Sequence, residues 1–252
     1  MEQTKALRKI ASLKKKIKVI QGGQGAGKTI AILIIIINHA SSKPGKETVI
    51  KDFVKVMKSF GLFQDNRFLA GTLYRFPNGS FIKFIGLDKD DVGKGFRGDV
   101  FYLNEGNKVQ FESYREIASR FKNIFIDFNP NVEFWVHDEI VPRDDADHIK
   151  LTYQDNEFLD KAEVEEIERY YKLGYNEEGE IINKYWANKW KVYGLGEVGG
   201  IDGVVFDNWS FVEDLPKEAK LLYYGCDFGY SVSKFAVVGI YQYNESYIIE
   251  EV

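Results

Sequence analysis

The stretch that most constrains this chain is Gly22-Gly23-Gln24-Gly25-Ala26-Gly27-Lys28-Thr29, which fits the phosphate-loop pattern G-x-x-x-x-G-K-[ST] at every constrained position. Ile17 to Ile20 before it reads as a short buried strand, and the Ile-rich run from Thr29 to Asn38 after it reads as a buried helix. Strand, glycine loop and helix together are the context this motif requires. Glycines let successive backbone N–H groups point at phosphate oxygens, and the helix N-terminus adds partial positive charge there. Lys28 is expected to reach the β- and γ-phosphates and Thr29 to offer its hydroxyl to Mg²⁺. The bland alternative is a glycine turn with no ligand. The favoured expectation is a nucleoside triphosphate site, with ATP and Mg²⁺ as its cofactors.

Hydrolysis in such a site needs acids at the end of a neighbouring strand. Phe101-Tyr102-Leu103-Asn104-Glu105 ends a strand in this manner, so Glu105 is the candidate general base. Asn104 stands where an aspartate would sit, and an amide is a weaker partner for Mg²⁺ than a carboxylate. Arg97, in a Gly-rich loop before that strand, is a candidate for stabilising γ-phosphate charge, in cis or across a subunit boundary, with Arg115 and Arg120 as rivals. Each has a plain alternative, a surface Glu at a strand end and a solvated Arg in a loop.

Further along, 3–15 reads as a basic helix, 48–60 as a helix, and Thr72 to Phe76 with Ser80 to Ile85 as a hairpin turning at Asn78-Gly79. Residues 86–99 read as a loop. Strands are expected at Val100 to Leu103, Asn123 to Phe128 and Glu133 to Val136, and helices at 111–121, 158–173 and 184–192. A glycine-rich linker spans 194–203, and the tail from Leu221 alternates in three strand-like runs. Strands interleaved with helices behind a phosphate loop imply an α/β, P-loop NTPase fold with a mainly parallel sheet, and a second domain from about residue 205. The 252 residues carry a net charge of −4 and one cysteine, Cys226, which argues against a globally basic nucleic-acid binder and against an intrachain disulfide. The basic residues Lys5, Arg8, Lys14, Lys15, Lys16 and Lys18 read as a solvated face. The longest apolar run is too short to span a bilayer, so no membrane is expected.

Taken in order, several segments resemble the large subunit of tailed-bacteriophage terminases. They are the phosphate loop, Phe76-Pro77-Asn78-Gly79-Ser80, Tyr102-Leu103-Asn104-Glu105-Gly106-Asn107, Ile126-Asp127-Phe128-Asn129-Pro130, Thr152 to Leu159, Val192 to Glu197 and Tyr224-Gly225-Cys226-Asp227-Phe228-Gly229. The resemblance implies a RecA-like (ASCE) ATPase core at 1–150, a small helical lid and linker at 151–204, and the start of an RNase H-like nuclease at 205–252. It makes Glu105 the catalytic carboxylate, Asn129-Pro130 the coupling motif that senses the γ-phosphate, and Asp227 the first metal-binding aspartate of the nuclease. It implies a homo-oligomeric ring that moves double-stranded phage DNA into a procapsid with the portal protein and the small terminase subunit, in the host cytoplasm. Two departures stand out. Ser41 to Glu47 is too short for the strand the family has there. The other nuclease acids would lie beyond Val252, so cleavage is expected only of a longer chain. Against the motor stand another RecA-like translocase or helicase and a nucleotide-gated binding module that hydrolyses little.

Overall fold

The computed structural model describes residues 4–42, 50–85, 97–200, 210, 212, 214–227, 236–244 and 246–251. The chain divides into two compact units, Met1–Gly203 and Val204–Val252.

The first unit begins with α1 (Lys5–Ala11), whose N-cap Thr4 accepts the Leu7 N–H. Then come β1 (Ile17–Gly22) and α2 (Lys28–Ser42). α3 (Ile50–Ser59) follows, then the small antiparallel strands β2 (Phe68–Leu69), β3 (Leu73–Arg75) and β4 (Phe81–Lys83). β5 (Gly98–Leu103), α4 (Phe111–Ala118), β6 (Phe121–Phe128) and β7 (Ala146–Leu151) complete the main sheet, and α5 (Lys161–Gly174) and α6 (Lys184–Lys189) come last. The main sheet is parallel in the order β5-β6-β1-β7.

Both faces of that sheet are covered, and the two-residue period of its strands assigns each side chain to one core or the other. Ile20, Tyr102 and Phe125 face α2, α1, α3 and the hairpin. Ile17, Val19, Phe101, Leu103, Ile124, Ile126 and Phe128 face α4 and the turn at Val136–Ile140. The isoleucines of α2 are poor helix formers, but Ile32 and Ile37 are fully buried, and each such side chain stabilises the fold by roughly 1.5–3 kcal/mol.

The hairpin forms where Asn78-Gly79 placed it. Gly79 takes a positive φ of 84°, and Phe76 N–H donates to Ser80 O across the turn. α2 continues to Ser42; the expected loop beyond it, and the question of a lost strand, fall on residues outside those described, as does most of 86–99. Three expectations need correction, and one strand was not foreseen. Glu133 to Val136 is not a strand: a helical turn spans Val136–Ile140, whose buried ends lie four apart, and Trp135 Nε1 donates to Val109 O at 2.7 Å. The strand β7, unforeseen, lies at the sheet edge, where only Ala146 and Leu151 are buried, so it lacks an apolar run. Lys18 is buried rather than solvated; its ammonium donates to Lys15 O and Asn123 Oδ1, and burial lowers its pKa. The segment after α6 is not an open linker as far as Gly199. Gly199 N–H donates to Pro130 O, and Gln21 Nε2 donates to Gly196 O at 2.8 Å.

The second unit holds an antiparallel meander, β8 (Lys220–Asp227), β9 (Ala236–Tyr243) and β10 (Ser246–Glu251), in the order β10-β9-β8. These match the three runs expected of the tail. Among the described residues no helix is long and apolar enough to cross a membrane.

Candidate active site

β1 is an inner strand, and the chain leaves its carboxyl end into the glycine loop, which turns into α2. Gly25 and Gly27 adopt positive φ (67° and 75°), so the loop needs glycine there. The loop is also roofed. Gln24 N–H donates to Tyr193 O at 3.0 Å, Asn156 Nδ2 donates to Gly25 O at 2.8 Å, and a Cβ on Gly23 would lie 2.1 Å from Tyr193 O. The roof comes from Asn156, ahead of α5, and from the helical turn Trp190–Gly194 that follows α6, and aromatic rings brace it: Tyr170 of α5 stacks on Trp186 of α6, and Tyr171 meets Trp190 edge-on.

Lys28 is buried inside this enclosure. Its ammonium donates to Gly22 O, Gly23 O and Asn129 Oδ1 at 2.8, 2.9 and 2.7 Å. Burial pulls its pKa down to about 8, while Asp127 and Glu105 push the other way. Asn129 directly follows β6 beside the loop, and Pro130 carries the carbonyl that receives the Gly199 N–H, so the pair touches both the buried lysine and the segment after α6.

Thr29, the first turn of α2, aims its hydroxyl at the ends of β5 and β6. Its Oγ1 lies 3.4 Å from Asn104 Oδ1 and 3.4 Å from Asp127 Oδ2. Asp127 was missed as a site residue by sequence reasoning. The signal was an acid inside an apolar strand, Ile126-Asp127-Phe128, since an ionised carboxylate is rarely fully buried without a purpose. Burial raises its pKa, opposed by Lys28, the Tyr102 hydroxyl, the Glu105 N–H and Thr29. Tyr102 Oη donates to Asn104 Oδ1 at 3.1 Å.

Glu105 follows directly. It takes left-handed backbone angles (φ 53°, ψ 53°), and its N–H points at Asp127 Oδ1 at 3.4 Å. Its carboxylate is exposed and paired with Lys108 at 2.6 Å. Arg97 is not in this cluster. It is exposed and precedes β5, whose far end carries Asn104, so about seven residues of parallel strand, roughly 20 Å, separate them. Arg115 is on α4, its guanidinium over the Phe111 ring. Asp227 closes β8, and its side chain lies outside the described residues.

The oxygens of Thr29, Asn104 and Asp127 converge within reach of a small hard cation. Among the described residues no group of three or more His, Cys, Asp or Glu could hold a metal alone. A cation fitting this spot would therefore draw further oxygens from phosphate and water, which is the habit of Mg²⁺.

A parallel sheet with helices on both faces, a glycine loop leaving an inner strand and a lysine buried in that loop define a P-loop NTPase. A family model described as phage terminase large subunit matches residues 14–197. The chain belongs to that family. No curated protein matches it. Among solved structures it is similar to the large terminase of a thermophilic bacteriophage, with a TM-score of 0.63 and 16% identity over 100% of this chain and 69% of that one. The same phage's large terminase in complex with ATP-γ-S gives a TM-score of 0.59 at 16% identity, over 99% and 68% of the two chains. The ATPase domain of the Thermus phage P74-26 large terminase gives 0.51 at 15% identity, over 76% of this chain and 92% of that one. At these identities the likeness is one of fold.

Proposed function

We propose that this chain is the ATP-hydrolysing motor subunit of a phage terminase, acting on double-stranded DNA as part of a homo-oligomeric ring that fills a procapsid. The observation that carries the reading is the Lys28 ammonium held by Asn129, with Thr29, Asn104, Asp127 and Glu105 around it. The relatives solved with ADP and ATP-γ-S support nucleotide binding here. The portal protein and small terminase subunit are the proposed partners, and the host cytoplasm the proposed compartment.

In this reading the triphosphate lies along the loop Gly22 to Thr29, its oxygens taken by backbone N–H groups and Lys28. Mg²⁺, when bound, neutralises phosphate charge. Glu105 turns from Lys108 and takes the proton of the attacking water. As phosphate leaves, Lys28 returns to Asn129 Oδ1, and through Pro130 that exchange reaches Gly199. The tail from Val204 is proposed as the start of an RNase H-like nuclease domain, with Asp227 as its first metal-binding acid.

The test is steady-state ATP hydrolysis with and without Mg²⁺, beside equilibrium binding of ATP-γ-S. Glu105→Gln should lose at least about 100-fold in turnover and keep its binding affinity. Unchanged turnover in that variant would remove Glu105 as the base. Tight binding with no turnover in the wild type, alone or with DNA and portal, would favour a nucleotide-gated binding module.

A further inference from the structure

We propose that Asp127, from the strand beside Asn104, supplies the carboxylate through which this pocket holds the Mg²⁺ of a bound nucleotide. The inference rests on the Mg²⁺–ATP reading above and names the residue that makes it workable. Asn104, at the end of β5, is neutral, and Mg²⁺ bound by a protein normally takes one or two carboxylates along with phosphate. β6 lies between β5 and β1 in the sheet. Ile20 pairs with Asp127 on one side, and Leu103 pairs with Ile126 on the other. The side chain of Asp127 therefore rises between the glycine-loop strand and Asn104. Its face of the sheet is that of Phe125, toward α2, while Ile126 and Phe128 face away. That orientation brings Oδ2 to Thr29 Oγ1 at the first turn of α2, at the same 3.4 Å that separates Thr29 from Asn104.

The carboxylate is also bonded too weakly for a group so deeply buried. Asp127 is 3% exposed, yet its contacts to Thr29 Oγ1 and Glu105 N are both 3.4 Å, beyond the usual range for strong hydrogen bonds, and its third partner, the Tyr102 hydroxyl, is shared with Asn104 Oδ1. A structural aspartate of this burial is expected to have short, charge-assisted partners. Long ones leave lone pairs directed at the space beside Thr29. The bond to the Glu105 N–H ties the same carboxylate to the backbone of the proposed base. One acid would thus serve the cation with one oxygen and fix Glu105 with the other.

Asp127→Asn keeps the shape and removes the charge. In the full chain we would measure ATP-γ-S affinity with and without Mg²⁺, and Mn²⁺ binding in the presence of ATP-γ-S by electron paramagnetic resonance. The expected result is that Asp127→Asn binds ATP-γ-S without metal as the wild type does, but loses the metal-dependent gain and at least tenfold in Mn²⁺ affinity. The double variant Asn104→Asp with Asp127→Asn, which moves the carboxylate one strand over, should recover most of that loss. Wild-type Mn²⁺ affinity in Asp127→Asn overturns the assignment, as does a double variant that folds without recovery. Loss of the fold in both variants would make Asp127 structural and overturn it equally. If the wild type binds ATP-γ-S but shows no metal dependence, the Asp127 role fails while the nucleotide reading stands. If it binds no nucleotide, that reading itself fails.

Discussion

Glu105 sits in a left-handed conformation that costs a residue with a Cβ about 1–2 kcal/mol. The strain is held in place by Lys108 N–H on Glu105 O and by Asp127 facing the Glu105 N–H. Asn tolerates this region better, so Glu105→Asn should abolish turnover yet raise stability by up to about 1 kcal/mol, read by denaturant melts. A loss of stability would mean the ion pair with Lys108 matters more than the backbone. Asp147 offers a second test at this scale. Its carboxylate accepts the N–H groups of Lys14 and Lys15, and these bonds hold its pKa below the usual carboxylate value. A depressed acid contributes stability above its unfolded pKa and loses it as pH falls through the folded one. Asp147→Asn, which resembles the protonated acid, should therefore lower the melting temperature at pH 7, and the gap should begin to narrow below about pH 4 and close as pH falls through the folded pKa. A gap independent of pH would assign the effect to packing.

Among the elements, the roof over the glycine loop has the least room for change. Gly196 has φ 64°, and a Cβ there would lie 2.7 Å from Leu151 O and 3.0 Å from Gly23 N. Gly196→Ala should push the segment after α6 off the loop while leaving α2 and the sheet intact. Faster proteolysis between residues 190 and 200, with an unchanged core melting transition, is the expected outcome. Simultaneous loss of the core transition would show that the roof and the sheet unfold as one. α2 poses the opposite case. Ile32→Ala in the fully buried stretch should cost roughly 2–5 kcal/mol in chemical denaturation, since removing a side chain with no exposure leaves a cavity in the core.

At the scale of the whole molecule, Arg97 is the informative residue. It lies roughly 20 Å from the cluster within its own chain, so a role in hydrolysis requires delivery to a neighbouring subunit. Specific ATPase activity should then rise with protein concentration and collapse in Arg97→Ala. A rate flat with concentration and indifferent to the substitution would discard Arg97. In the proposed reading, DNA contacts by a chain of net charge −4 would be confined to a restricted surface. Binding should fall linearly in log–log terms with salt and show no dependence on base sequence.

Local pattern sufficed for much of this protein. The glycine loop, the buried helix after it, the Asn-Gly hairpin, the strand closing at Asn104-Glu105 and the meander of the tail are all written in neighbouring residues, because turn geometry and apolar period act over a few positions. The run Phe134-Trp135-Val136 misled, since three apolar residues do not tell a strand from a helical turn, and β7 was hidden because an edge strand buries little. What proximity in the chain could not reveal was proximity in space. Asp127 reaches Thr29 across 98 positions, Asn129 reaches Lys28 across 101, and Tyr193 comes down on Gln24. Parallel strands joined by long crossovers put such residues side by side only when the sheet closes, so the sequence determined the parts of the site and the order of the strands in the sheet decided which oxygens meet.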